Sequence, residues 1–390
     1  MFGRLESSLD TVNEIGRVLV DVRDETGVPG PILVILTDVD SLERINMDTL
    51  YGSGRVELPC PPGRYLLSAF VDANEDFTFD RGEPGRMLGD PSALVVDPGG
   101  APRVTLHLRA RDVDVEPGAR AMLRLVEREN PELRVKSAGK RASLDDEIFD
   151  KDVAEDGAWD PAGFLYRGLA GIYLLGDHRP DRIPVVFVHG IFGSPRDLRP
   201  LIETLDRERF EPWVYYYPSS MRLADVGHHL EKELHLLTLE HKPARVVLVG
   251  HSMGGLVACQ AAAEYARGDR RPYLVKLVTL ASPLGGMRSA QLGARFAPTP
   301  MPCWYDLAPS SPFLAELFTQ PLPAHLEHHL FLAFGSGNGD GTVGTISQLP
   351  AGALDRARLH AVETDHMGIL SDARTHREFD AILRAVEALD

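Results

Sequence analysis

A chain of 390 residues, 44% hydrophobic and 25% charged, is long enough for two domains and has the composition of a globular protein with a large core. Its 41 basic against 57 acidic side chains leave a net charge of −16, and no Lys/Arg cluster offsets it, so the chain repels phosphate backbones and nucleic acid is excluded as a partner. No run approaches the roughly 18 apolar residues of a membrane span, and the N-terminus lacks the basic-then-apolar order of a secretion signal. As given, the chain reads as cytoplasmic; a trimmed N-terminal signal would make it periplasmic or membrane-anchored. Cys60, Cys259 and Cys303 are too few and too scattered for a disulfide framework or a metal spacing, and read as buried thiols.

Phe2, Leu5, Leu9 and Val12 recur at three- and four-residue spacing and predict an amphipathic helix over 2–15, within an N-terminal segment 1–16. Its polar face mixes Arg4, Glu6, Asp10 and Glu14, a pattern that favours docking on the protein's own body over a lipid surface. From Arg17 the period changes to two. Val18 to Val22, Pro31 to Thr37, Gly54 to Leu58, Tyr65 to Val71 and Val104 to Leu108 predict short strands between Gly/Pro/Asp turns, and residues 17–112 read as a small all-β sandwich. A membrane or a protein are the partners open to it.

The run from Asp72 to Glu83 places oxygen-bearing side chains at alternate positions, with Asp72, Asn74, Asp76, Asp80 and Glu83 in the ligand spacing of a calcium loop. Phe77 stands where that pattern wants glycine. The other reading is a turn held by its own side-chain to backbone bonds. The stretch resembles turns of prealbumin-like and surface-protein β-sandwich modules, some of which bind calcium; no cofactor is expected apart from the structural calcium that this resemblance leaves open.

Residues 113–160 are charged, acidic from Asp145 to Asp160, and weakly periodic apart from a helical patch at Ala121 to Glu127; they read as a connector. Phe164 to Leu175 reads as an apolar hairpin opening a second domain, 161–390. From Ile183 onward strands and helices alternate, which predicts a parallel sheet covered on both faces. Strands are expected at 184–189, 213–217, 245–250, 276–282, 330–334 and 358–362, with helices at 197–206, 222–239, after Ser252, and at 375–389.

One junction in that alternation carries chemistry. Gly250-His251-Ser252-Met253-Gly254 joins the apolar run Val246 to Val249 to a helix rich in small residues. A turn this sharp strains the serine and exposes its hydroxyl, while the helix start aims backbone N–H groups at any anion formed beside it. A serine hydroxyl is too weak an acid to attack a carbonyl unaided. It needs a base within hydrogen-bond reach and a carboxylate to hold the base in one tautomer.

Val185 to Gly190, Gly250 to Gly255, Thr279 to Gly286, Gly339 to Val343 and Asp365 to Gly368 occur in the order of the motifs of the α/β-hydrolase superfamily. Residues 160–390 resemble its lipase and carboxylesterase type. The resemblance implies Ser252 as nucleophile, His366 as base and Asp340 as the acid that orients it, with Asp306 and Glu363 as alternative acids. It implies an oxyanion hole made by the N–H of Met253 and of Ile191, with Phe192 as the alternative. The segment 286–330, rich in Pro and large apolar residues, stands where this family inserts lids. Phe192, Trp304, Leu307 and Phe313 are the expected apolar contacts to substrate. His189 and His251 are expected to pack around their turns, and His325, His328 and His329 to lie on a solvated helix face instead of forming a metal site.

The function implied is cleavage of a carboxylic ester, small-molecule or lipid, through an acyl-enzyme. Thioesterase, amidase or acyltransferase chemistry on the same residues, or a non-catalytic binding protein working through the β-sandwich, are the alternatives.

Overall fold

Alternation of apolar and polar residues buries one face of β1 (Gly16–Glu25), where Val18, Val20 and Val22 are fully buried between more exposed neighbours. The computed structural model describes residues 1–390 except 78, 80–81, 89–92, 111–138, 269–271, 320–321, 336, 355–356 and 388–390. It divides into two compact units, Asp10–Ser137 in one and Met1–Leu9 with Ala138–Asp390 in the other. Among the described residues no helix is long and apolar enough to cross a membrane.

In the first unit, β1 lies between β4 (Gly54–Cys60), antiparallel to it, and β8 (Arg103–Arg109), parallel to it. A second sheet runs β3 (Arg44–Leu50), β2 (Ile32–Asp38), β5 (Gly63–Val71), β6 (Gly85–Leu88), with β7 (Leu94–Val96) also paired to β5. Side chains of both sheets, among them Val20, Leu58 and Leu106 from one and Val34, Leu67 and Val71 from the other, share one core. The strands β3, β6 and β7 are absent from the sequence reading. The first buries little besides Met47 and Thr49, and the others are too short to show a period.

The second unit is built on eight strands in the order β16-β15-β14-β13-β11-β12-β10-β9. All neighbours are parallel except β10 (Gly171–Leu174) with β12 (Phe210–Tyr216). The central strands β11 (Ile183–Val188), β13 (Val246–His251) and β14 (Leu274–Leu280) are buried along nearly their whole length, because helices cover both faces. The edge adds β15 (Glu327–Phe334) and β16 (Ala357–Glu363).

Several expectations are corrected. Phe164 to Leu175 is not a hairpin; Pro161 at the first helical position and Asp160 as its cap start a short helix, Pro161–Tyr166, followed by β10. Residues 138–160 cluster with the second unit instead of forming a connector, through β9 (Lys140–Arg141) on the sheet edge and the helix Lys151–Trp159. His328 and His329 lie on β15, and both are buried. Their spacing suits a helix face, but the strand begins three residues earlier than the apolar run that marks it. The helical patch at 121–127 lies outside the described residues.

The N-terminal helix α1 (Phe2–Asn13) buries Leu5 and Ser8. Arg4 pairs with Asp156 and Asp160, and Ser8 Oγ donates to Asp160 Oδ1 at 2.8 Å. The helices that position the candidate site are α2 (Lys151–Trp159), α3 (Pro161–Tyr166), α4 (Arg199–Ile202), α5 (Leu223–His241) and α6 (Met253–Arg267). They are followed by three short helices in the excursion after β14: α7 (Arg288–Phe296), α8 (Pro302–Leu307) and α9 (Pro312–Leu317).

Candidate active site

A single residue separates β13 from α6, and that residue is Ser252, with φ 55° and ψ −129°. Such a conformation costs a serine on the order of 1–3 kcal/mol and persists only where its surroundings impose it. Crowding imposes it here. A Cβ at Gly250 would strike the backbone of Gly254 and Gly255, and one at Gly254 would strike the carbonyls of Val188 and His189. The Ser252 N–H donates to Leu280 O at 2.9 Å, which pins the turn to the next strand.

Two further turns at the same end of the sheet bring the other side chains in. After β15, Asp340 Oδ1 accepts from the N–H of Thr342 at 2.9 Å and of Val343 at 2.6 Å, so the carboxylate closes its own loop. Its other oxygen, Oδ2, lies 2.7 Å from His366 Nδ1. After β16, the His366 N–H donates to Asp340 O at 3.0 Å, and His366 Nε2 lies 2.9 Å from Ser252 Oγ. The carboxylate can only accept, so Nδ1 carries the proton; Nε2 then faces the serine hydroxyl with its lone pair.

Burial works to raise the pKa of Asp340, yet the hydrogen bonds from His366, Val343 and Thr342 outweigh it and hold the carboxyl below its ordinary value. It is therefore ionised at neutral pH. His251 Nε2 donates to the carbonyl of His366 at 2.9 Å; burial first, then the nearby imidazole, pushes its own pKa down to about 4. That makes it a neutral prop for His366. His189 is fully buried, stacks on Tyr217 with centroids 4.3 Å apart, and is pushed down to about 4 by burial.

Beside the serine, Gly190 leaves room at which a Cβ would come 3.0 Å from Ser252 Cβ. The turn following it is closed by Gly193 N–H donating to Gly190 O at 3.2 Å. Phe192 N–H donates to Ser219 Oγ at 2.9 Å, which occupies that donor. The N–H groups of Ile191 and Met253 donate to no protein oxygen among the described residues. Met253 opens α6, where the first N–H groups have no intrahelical partner.

Asp306 and Glu363, the other carboxylates weighed from the sequence, are occupied or exposed. Asp306 is fully buried and accepts from Arg222 at 3.0 and 2.6 Å and from Leu223 N–H at 2.7 Å, so it anchors the start of α5. Glu363 is exposed. Of the expected substrate contacts, Leu307 and Phe313 are buried within the excursion, and the Trp304 ring lies against Gly293 of α7. The excursion is tied to the body of this unit by Asp306 and by Cys303 N–H donating to Ser220 O at 2.9 Å.

In the loop after β5, Asp72 is fully buried and accepts from the N–H of Asp76 at 3.0 Å and of Phe77 at 2.9 Å, one with each oxygen. Glu83 accepts from Ala73 N–H at 2.8 Å, and Asn74 donates to Asp76 at 3.0 Å. Asp80 lies outside the described residues. Among the described residues no cluster of three or more His, Cys, Asp or Glu side chains is arranged to hold a metal.

Sequence reasoning missed Gln348, the buried last residue of α10 (Thr345–Gln348). Its Nε2 donates to Asp340 Oδ2 at 3.3 Å, to Val343 O at 3.2 Å and to Ala333 O at 2.9 Å, and its Oε1 accepts from Ala333 N–H at 3.0 Å. It missed Tyr217 as well, whose hydroxyl donates to His189 O at 2.7 Å, and Ser219. None belongs to a motif; only their place after a strand or beside the acid turn marks them.

Residues 138–390 have the α/β-hydrolase fold, and the sequence pattern of that fold family matches residues 183–303. Solved structures similar to the chain include a lipase of Bacillus licheniformis in its mature form, 17% identical over 54% of this chain and 94% of that one, with a TM-score of 0.43. A protein of Listeria innocua is 20% identical over 52% of this chain and 94% of that one, TM-score 0.42. An esterase of Rhodococcus is 15% identical over 55% and 94%, TM-score 0.35. No curated protein matches the chain.

Proposed function

We propose that the protein is a serine hydrolase of carboxylic esters, in which Ser252 is the nucleophile, His366 the general base and then acid, and Asp340 the carboxylate that orients it. The observation that carries this reading is the unbroken line of two short hydrogen bonds, 2.9 Å from Ser252 Oγ to His366 Nε2 and 2.7 Å from His366 Nδ1 to Asp340 Oδ2. In the first step Ser252 Oγ bonds to the ester carbonyl carbon while its proton passes to His366 Nε2. The carbonyl oxygen gains the negative charge, and the N–H groups of Met253 and Ile191 stabilise it. Collapse breaks the bond to the alcohol oxygen, which leaves with the proton from His366. Water, deprotonated by the same imidazole, then releases the acid and restores Ser252.

Asp340 keeps its charge throughout, since its depressed pKa leaves it a carboxylate that only accepts. A fluorophosphonate probe should label the wild-type protein and not Ser252→Ala. Hydrolysis of p-nitrophenyl esters from acetate to palmitate should appear in the wild type and fall by about six orders of magnitude in kcat in the variant. Equal labelling of the two proteins, or a flat baseline for every ester, removes the proposal.

A further inference from the structure

The turn beside Ser252 carries an aromatic residue in a left-handed conformation, and a row of rings leads from it to the N-terminal helix. Phe192 has φ 55°. It is the third residue of a turn closed between Gly190 and Gly193, where positive φ is ordinarily supplied by glycine. A bulky side chain enters that region only when its surroundings hold it. Two contacts do so here: the bond to Ser219 Oγ, and the ring stacked on Trp159 with centroids 6.2 Å apart and 29° between planes.

Trp159 ends α2, and Phe2 of α1 meets its ring edge-on, at 5.5 Å and 90°. The indole is clamped by what flanks it. Asp156 and Asp160 both pair with Arg4, and Asp160 Oδ1 accepts from Gly163 N–H at 2.9 Å. Ser8 Oγ accepts from Ala162 N–H at 2.9 Å while donating to Asp160. The serine nucleophile's neighbouring turn is thus backed by two rings that belong to helices, not to the turn itself.

We infer that Trp159, backed by Phe2, is a positioning residue for the oxyanion turn, holding Phe192 in its left-handed form so that the neighbouring Ile191 N–H keeps its aim beside Ser252. The inference rests on the serine-hydrolase reading. If the stack is removed, Phe192 can relax to negative φ. That rotates the peptide between Ile191 and Phe192, breaks the bond to Ser219 and loosens the donor one residue away. Misplacing one oxyanion donor by about 1 Å costs on the order of tenfold or more in rate.

The test uses the full chain and reads kcat and KM on p-nitrophenyl esters of increasing acyl length, beside the rate of fluorophosphonate labelling. Trp159→Ala should lower kcat and the labelling rate about tenfold for every acyl length, with KM within about twofold. Trp159→Phe should restore most of the loss, and Phe2→Ala should cost about two- to threefold. In a Phe192→Gly background, where the turn needs no ring to hold positive φ, Trp159→Ala should add almost nothing.

Three results would overturn the inference. Folded Trp159→Ala with wild-type kcat removes it while leaving the Ser252 reading intact. A loss that grows with acyl length makes the rings substrate contacts and not positioning groups. Absence of Ser252 labelling in the wild type removes the reading underneath. Should Trp159→Ala fail to fold, Trp159→Leu and the Phe192→Gly cycle give the same comparison.

Discussion

Two buried carboxylates in this molecule sit in tight loops just after a strand and are used in opposite ways. Asp72, after β5, commits both oxygens to its own loop, accepting from Asp76 and Phe77 N–H. Asp340, after β15, commits only Oδ1 to its loop and turns Oδ2 outward to His366. The electrostatics follow the wiring. Burial dominates at Asp72 and raises its pKa despite backbone bonds from Phe77, Asp76 and Glu75, with the neighbouring Asp76 charge adding to the rise, whereas at Asp340 the bond from the imidazole joins those of Val343 and Thr342 and the balance falls below the ordinary value. A carboxylate fully absorbed by its own turn holds structure; one with an oxygen left over can orient a base.

The largest way to break this comparison is to take away the free oxygen. Asp340→Asn leaves an amide that can still close the loop with its carbonyl but presents NH₂ to Nδ1, forcing the wrong tautomer on His366. A fall in kcat of about four orders of magnitude is expected in ester hydrolysis. A loss under tenfold would return Asp306 or Glu363 to consideration, although the first is already occupied by Arg222 and Leu223.

Histidine usage sharpens the contrast between the two units. Of the 14 histidines, His107 alone falls in residues 10–137. In the other unit His189, His251 and His328 are buried and held neutral, each pushed down to about 4 with burial as the main cause. Their folded pKa lies below the unfolded value, so the unfolded chain binds protons that the native state refuses. Stability is then lost as pH falls below about 6.5 and the loss levels off near the folded value. Between pH 7 and pH 5 each should remove about 2 kcal/mol. Asp340 contributes nothing in that window, because a depressed carboxylate loses its stabilisation only further into acid. Thermal melts at the two pH values should show the α/β unit destabilised by several kcal/mol; melts that superimpose would mean the three imidazoles are not held neutral.

How much of this could be read from the sequence depends on whether chemistry and backbone shape fall in one short stretch. Ser252, Asp340 and His366 each stand in a tight turn directly after a strand, so residue type and local geometry coincide and the positions are legible. The strands β1, β2, β4, β5 and β8 are legible because each is a short apolar or alternating run between turn residues. What escapes is anything whose role depends on distant packing. Gln348 lies in the stretch Thr-Ile-Ser-Gln, which has no pattern to mark it. His328 and His329 stand three and four residues after His325, a helical spacing met by accident, since both lie on a strand. The stretch 138–160 looks like linker because its acidic side chains face outward, yet Phe149 and Ala158 are fully buried in the α/β unit.

Gln348 offers a finer probe of why Asp340 differs from Asp72. Its amide contacts Asp340 Oδ2, Val343 O and both polar groups of Ala333, so it braces the acid turn against β15. It reaches no reacting atom in the proposed mechanism. Gln348→Ala should lower kcat about tenfold with little change in KM, and Gln348→Glu should be worse than its shape suggests, because it sets a second carboxylate against Oδ2. If Gln348→Ala changes KM and leaves kcat alone, the residue acts on substrate binding and the bracing role is wrong.

The smallest effect belongs to Asp72, and it separates the two carboxylates most cleanly. Asp72→Asn keeps one acceptor oxygen but turns an NH₂ toward the N–H of either Asp76 or Phe77, leaving a buried donor facing a donor. Such a loss ordinarily costs about 1–3 kcal/mol. Part of it is returned, because Asp72 has its pKa raised by burial and so carries an electrostatic penalty at neutral pH that the neutral amide lacks. The net should be a destabilisation of about 1 kcal/mol in the β unit, read as a lower melting temperature, with ester kcat/KM unchanged. A variant as stable as the wild type would show that the backbone bonds to Asp72 do no more than offset the burial of the charge. A variant that lost activity would show that the two carboxylates are not the independent devices their wiring suggests.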